Sequence, residues 1–149
     1  MFMKMLKEML IDCRWQNWES HIDESNRYTM YRSFTSIPHS KQLYLSLGLD
    51  RQIRNIVTKF RFGISDLHVH YYRYRIHTAS DLSCPMCGAA NEDEIHFVLC
   101  CPGLSSLRDD YFSKYFRNPC LSRLILLMAF QNVSTIKNFA LFLYKGFKL

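Results

Sequence analysis

Residues 84–102 read Cys84-Pro85-Met86-Cys87-Gly88-Ala89-Ala90-Asn91-Glu92-Asp93-Glu94-Ile95-His96-Phe97-Val98-Leu99-Cys100-Cys101-Pro102. The spacing is C-x2-C, then eight residues, then a histidine, then cysteines four and five positions on. Two intervening residues let one tight turn aim both sulfurs at a single ion, and Gly88 tolerates the backbone that such a turn requires. Thiolate and imidazole are the ligands that Zn²⁺ prefers, four to an ion, in a tetrahedron. Glu92-Asp93-Glu94 favours a helix N-terminus through the macrodipole, which sets His96 early in a short helix. Two cysteines compete for the fourth position. On an unbroken helix Cys100 lies at i+4 from His96 and faces the same way. Cys101 precedes Pro102, and a residue before proline is pushed out of the α region, so the helix ends there and Cys101 turns back. Cys101 is preferred and Cys100 is the alternative. The expected metal set is Cys84, Cys87, His96 and Cys101, and four protein ligands leave no open position for catalytic water.

The remaining cysteines, Cys13 and Cys120, are remote in both directions and read as small hydrophobes. Met1 to Leu10 carries Lys4, Lys7 and Glu8, so no secretory signal is expected and a reducing, intracellular setting (nucleus or cytoplasm) favours a metal over disulfides. The longest apolar run, Leu124 to Phe130, is seven residues, too short for a membrane span.

Outward from the cluster the sequence reads as helices. The chain has 149 residues, 48% hydrophobic, with only five Gly and four Pro, which suits a small, mainly α fold around an embedded CCHC knuckle. Three segments of one packed unit are expected: a helical stretch over 1–50, a basic helix with the knuckle over 51–117, and apolar helices over 118–149. Phe2, Leu6, Met9, Leu10, Cys13 and Trp18 suggest one apolar helical face. Asp50 is a good N-cap for a helix in which Ile53, Ile56, Val57 and Phe60 form the packing stripe and Gly63 the stop. Asp66 to Thr78 reads as extended. A helix is predicted from Ser105 to Phe116 and another from Leu121 to Phe130. In the last helix, Val133 to Phe147, the core stripe is Val133, Ile136, Ala140, Leu143, Tyr144 and Phe147.

The net charge is +6, and nearly all of it is local. Between positions 51 and 75, Arg51, Arg54, Lys59, Arg61, Arg73 and Arg75 face one acidic residue, Asp66. Arg51, Arg54 and Arg61 form a stripe on the helix that Asp50 starts. Tyr71, Tyr72, Arg73, Tyr74 and Arg75 interleave rings that can stack on bases with cations that can pair with phosphates. The expected nucleic-acid contacts are therefore Arg51, Arg54, Arg61, Arg73, Arg75, Tyr72 and Tyr74. The bland alternative is a solvated face with snorkelling arginines. Apolar C-terminal helices that dock on another protein are the competing expectation. A cysteine nucleophile is disfavoured, because a metal would consume the clustered thiolates.

Cys84-Pro85-Met86-Cys87-Gly88, Glu92 through Pro102, and the downstream Leu107-Arg108 resemble the C-terminal zinc-knuckle region of non-LTR (LINE-type) retrotransposon reverse transcriptases. Lys59-Phe60-Arg61, Asp66-Leu67 and the Arg73 region resemble the stretch before that knuckle. The likeness spans about residues 54 to 112 and supports Cys101 as the final ligand. It implies a knuckle that assists binding of template RNA or target DNA; with the basic, aromatic-rich segment, the expected partners are RNA or single-stranded DNA, and the rest of a reverse transcriptase or another protein. It does not imply polymerase activity here: no Tyr-x-Asp-Asp is present, Asp109-Asp110 reads as a solvated helix face, and no endonuclease-like segment is visible.

Overall fold

The computed structural model describes residues 2–24, 31, 43–74, 82–129 and 132–149. The helices are α1 (Phe2–Glu24), α2 (Arg51–Arg61), α3 (His68–Tyr74), α4 (Ser105–Tyr111), α5 (Leu121–Met128) and α6 (Val133–Gly146). Tighter turns at Leu43–Ser46, Pro102–Leu104 and Lys114–Arg117 and a wide π turn at His96–Cys100 complete the order, with no strand among the described residues.

The last helix, α6, is the central strut. Asn132 sits in extended backbone, and its side-chain oxygen accepts the amides of Ser134 at 2.8 Å and Thr135 at 3.3 Å, starting the helix. Ile136, Phe139, Ala140, Phe142 and Leu143 are all fully buried. They contact α2, α4 and α5 on a face wider than the predicted stripe, whose first member, Val133, is exposed. Gly146 carries no side chain for a packing reason: a Cβ there would meet the Phe97 ring at 3.1 Å. Phe97 stacks on Phe147 at 4.6 Å, Phe112 lies 4.7 Å from Phe142, and Phe60 meets Phe139 edge-on at 5.8 Å. Such offset and edge contacts suit the ring quadrupole, and through Phe97 they fasten the cysteine segment to the helical core.

Asp50 caps α2 by accepting the Gln52 amide at 2.7 Å, and Val57 and Phe60 are buried as expected. Gly63, at φ 68°, turns the chain out of the helix. Leu124, Leu127 and Met128 bury α5 against the core while Leu126 stays exposed. The helix expected to reach Phe116 ends at Tyr111; the chain extends at Phe112, whose ring enters the core, and turns again at Lys114–Arg117.

Two expectations are corrected. The segment read as extended is helical over His68–Tyr74, for a tertiary reason given below. In α1, Leu6, Met9, Leu10 and Cys13 are exposed rather than buried. Met3, Met5, Leu6, Met9 and Leu10 share one side of the helix, opposite Lys4, Lys7 and Glu8, but all five are exposed, so the described residues leave that side uncovered. The side chains of Phe2 and Trp18 lie outside the described set.

Candidate metal centre

The turn at residues 84–89 is closed by two backbone bonds, Gly88 N–H to Cys84 C=O and Cys84 N–H to Ala89 C=O, both 2.8 Å. Gly88 takes φ 72°, the left-handed conformation this turn needs. The second half of the site begins where the Asp93 carboxylate accepts the His96 amide at 2.6 Å. The backbone then widens: Cys101 N–H bonds the His96 carbonyl five residues back, at 2.7 Å. A π turn of this kind brings the i+5 residue round to the face that i+4 would occupy on an α-helix. Cys101 leaves it at φ −53°, ψ 118°, out of the α region as its proline neighbour dictates. Cys100 is exposed and outside the cluster, so the geometry selects Cys101 over Cys100.

The ligand atoms of Cys84, Cys87, His96 and Cys101 all lie within 4.8 Å of one another. The Cys84 and Cys101 sulfurs are 3.8 Å apart, and Cys87 Sγ is 3.3 Å from His96 Nε2. A tetrahedron with metal–sulfur bonds of about 2.3 Å has sulfur–sulfur edges of about 3.8 Å, and mixed sulfur–nitrogen edges are slightly shorter. The four residues therefore fit one ion. Cys84 and Cys101 are buried, while Cys87 is exposed, so the centre sits at the surface with its sulfur base in the core. Burial pushes the Cys84 thiol up to about 11, whereas the Ala89 amide draws the Cys87 thiol down. Without a cation the inner sulfur stays protonated, so a metal entering this site would exchange for protons.

Glu92 and Glu94, read from sequence only as helix-starting charge, have a different role. Asp93 does the capping; its two neighbours point the other way, into α3. Glu92 accepts the His68 amide at 3.0 Å, and its backbone carbonyl accepts the Val69 amide at 3.3 Å. His68 Nδ1–H donates to the Ser83 carbonyl at 2.6 Å. Buried His70 accepts the Ser65 amide at Nδ1, at 3.1 Å, and donates from Nε2 to Glu94 at 3.0 Å. Arg73 Nη1 adds a bond to the same carboxylate at 2.5 Å. Burial alone would raise the Glu94 carboxyl, but His70 and Arg73 outweigh it and hold it at about 2. A helix as short as α3 is not stable alone; the metal loop holds it. The paired spacing His68-x-His70 and Glu92-x-Glu94 was the available signal.

The expected nucleic-acid contacts that are described differ in exposure. Arg51 and Tyr72 are exposed, Arg54 is half-buried, and Arg73 is half-buried against Glu94. Arg61 is a correction: it is 2% exposed, with its guanidinium 5.3 Å from the Tyr44 ring centre and 6.0 Å from that of Tyr31. Aromatic faces cover the cation, and burial pulls it down to about 10 against the opposing influence of Tyr44 and Tyr31. The Tyr74 side chain and all of Arg75 lie outside the described residues. Asp109 and Asp110 are exposed, with Asp109 paired to Arg117 at 3.1 Å. Cys120 is exposed, not a packed hydrophobe as expected: it lies at the open start of α5, ahead of the residues that turn into the core. No single helix among the described residues is long and apolar enough to cross a membrane.

No family model, curated protein or solved structure matches the chain.

Proposed function

We propose that this is a non-catalytic zinc-binding domain that engages RNA or single-stranded DNA, akin to the C-terminal knuckle region of a LINE-type reverse transcriptase. The observation that carries it is the convergence of three sulfurs and one imidazole within 4.8 Å. Zinc is the favoured ion because a Cys₃His tetrahedron is one of its structural donor sets. The ion acts on function indirectly. It closes the loop that carries Glu92 and Glu94, and these hold α3, whose Tyr71 and Tyr72 are exposed beside Arg73. Exposed rings can stack on bases, while Arg51 and Lys59 on α2 supply charge for the phosphate backbone. Such binding is non-specific in sequence and weakens with salt. The nucleus or cytoplasm, where thiols stay reduced, is the fitting compartment.

Fluorescence anisotropy with labelled single-stranded RNA and DNA tests this reading. Binding is expected at low salt, falling as salt rises, and weakened by replacing Arg51 with Gln and Tyr72 with Ala together. Absence of binding at low salt by metal-loaded protein contradicts it. A second reading, a zinc-stabilised protein-interaction module, is favoured by one specific observation: Met3, Met5, Leu6, Met9 and Leu10 of α1 are exposed. It shares the metal centre and predicts no oligonucleotide affinity.

A further inference from the structure

A divalent ion held by three thiolates and a neutral imidazole carries one net negative charge. Next to this centre stands Arg108, on α4. Its Nη2 donates to the Cys101 carbonyl, and its Nη1 is buried with no hydrogen-bond partner among the described residues. No carboxylate among them pairs with it: Glu92 and Glu94 are committed to α3, and the neighbouring Asp109 pairs with Arg117. A partly buried cation without a counter-charge is costly. The loaded centre creates a negative charge at Cys101, whose carbonyl Arg108 already contacts.

Resting on the zinc reading, we propose that Arg108 is the counter-ion of the loaded centre: a positioning residue that raises metal affinity by its charge and holds the Cys101 backbone in place. Without the ion the negative charge of the centre is absent, and among the described residues it is the exposed Asp109, itself paired with Arg117, that remains near Arg108. Arg108 therefore stabilises the loaded state selectively. It ligates nothing itself.

The test compares Arg108→Lys, which keeps the charge, with Arg108→Met, which keeps most of the apolar stem and loses the charge. Zn²⁺ affinity is read on the full chain by competition with a chromophoric chelator, and Co²⁺ substitution reports the thiolate charge-transfer bands. Arg108→Met is expected to weaken Zn²⁺ binding about 10- to 100-fold, the usual effect of losing an outer-sphere partner, and Arg108→Lys by about threefold or less. The Co²⁺ bands should keep their positions in both variants. The melting temperature of the metal-free protein should fall less on Arg108→Met than that of the metal-loaded protein, a result that a merely structural role would not give. Equal affinity in the unsubstituted and Met proteins, or equal losses in Lys and Met, overturns the proposal while leaving the zinc reading intact. Absence of Co²⁺ thiolate bands in the unsubstituted protein overturns the zinc reading itself, and the counter-ion with it.

Discussion

Replacing Glu94 by Gln keeps the shape of the link between the metal loop and α3 and removes its charge. Glu94 is 3% exposed and accepts from both His70 and Arg73. Removing one partner of a buried ion pair costs about 3–5 kcal/mol, because the other charge is left unanswered. Arg73 is 30% exposed, so water recovers part of that cost. A loss of about 2–4 kcal/mol is the reasonable magnitude. At roughly 3 °C per kcal/mol for a chain of this size, the melting temperature should fall by about 6–12 °C at pH 7. The pH dependence has a fixed sign. The folded carboxyl is held at about 2, below its ordinary value of 4.5, so its contribution is complete above that ordinary value. It is lost as pH falls through the interval towards 2, where wild type and variant should converge. Thermal unfolding of both proteins, metal-loaded at pH 7 and metal-free across the acid range where thiol protonation releases the ion, measures this. A melting temperature within about 1 °C of wild type at pH 7 would refute the link as a source of stability.

Cys101→Ser should abolish stoichiometric metal binding while Cys100→Ser retains it; chelator competition decides, and the reverse order would mean that the π turn is misassigned. Gly88→Ala, forced into positive φ, should cost about 1 kcal/mol and weaken metal binding, although a Cβ there meets nothing within 4 Å. Chelation should remove amide protection over residues 84–101 and α3 but leave that of α6, since α6 is held chiefly by its packing against α2, α4 and α5; hydrogen exchange checks it, and simultaneous loss everywhere would contradict it.

Local chemistry was readable where one segment contains its own reasons. Asp50 capping α2, Val57 and Phe60 on its inner face, and the four ligands within eighteen residues needed no partner from elsewhere. The choice of Cys101 followed from Pro102. What sequence reasoning missed depended on contacts distant along the chain. Arg61 looked like part of a solvated stripe because nothing in α2 announces that Tyr44 and Tyr31 lie over it. The His68–Tyr74 segment, three tyrosines and two histidines among its seven residues, has weak helical propensity of its own. It is helical because Glu92 and Glu94, some two dozen residues away, satisfy its first amide and its buried histidine. In α1 the periodicity suggested a packed face, yet the described side chains are exposed, since apolar periodicity marks a capacity for burial and not the presence of a partner.

The most direct measurement is elemental analysis of the purified chain combined with X-ray absorption at the zinc edge. One Zn²⁺ per chain is expected, with three sulfurs at about 2.3 Å and one nitrogen at about 2.0–2.1 Å. Sub-stoichiometric zinc that cannot be restored by adding the metal, or a first shell without three sulfurs, would contradict the centre on which the function depends.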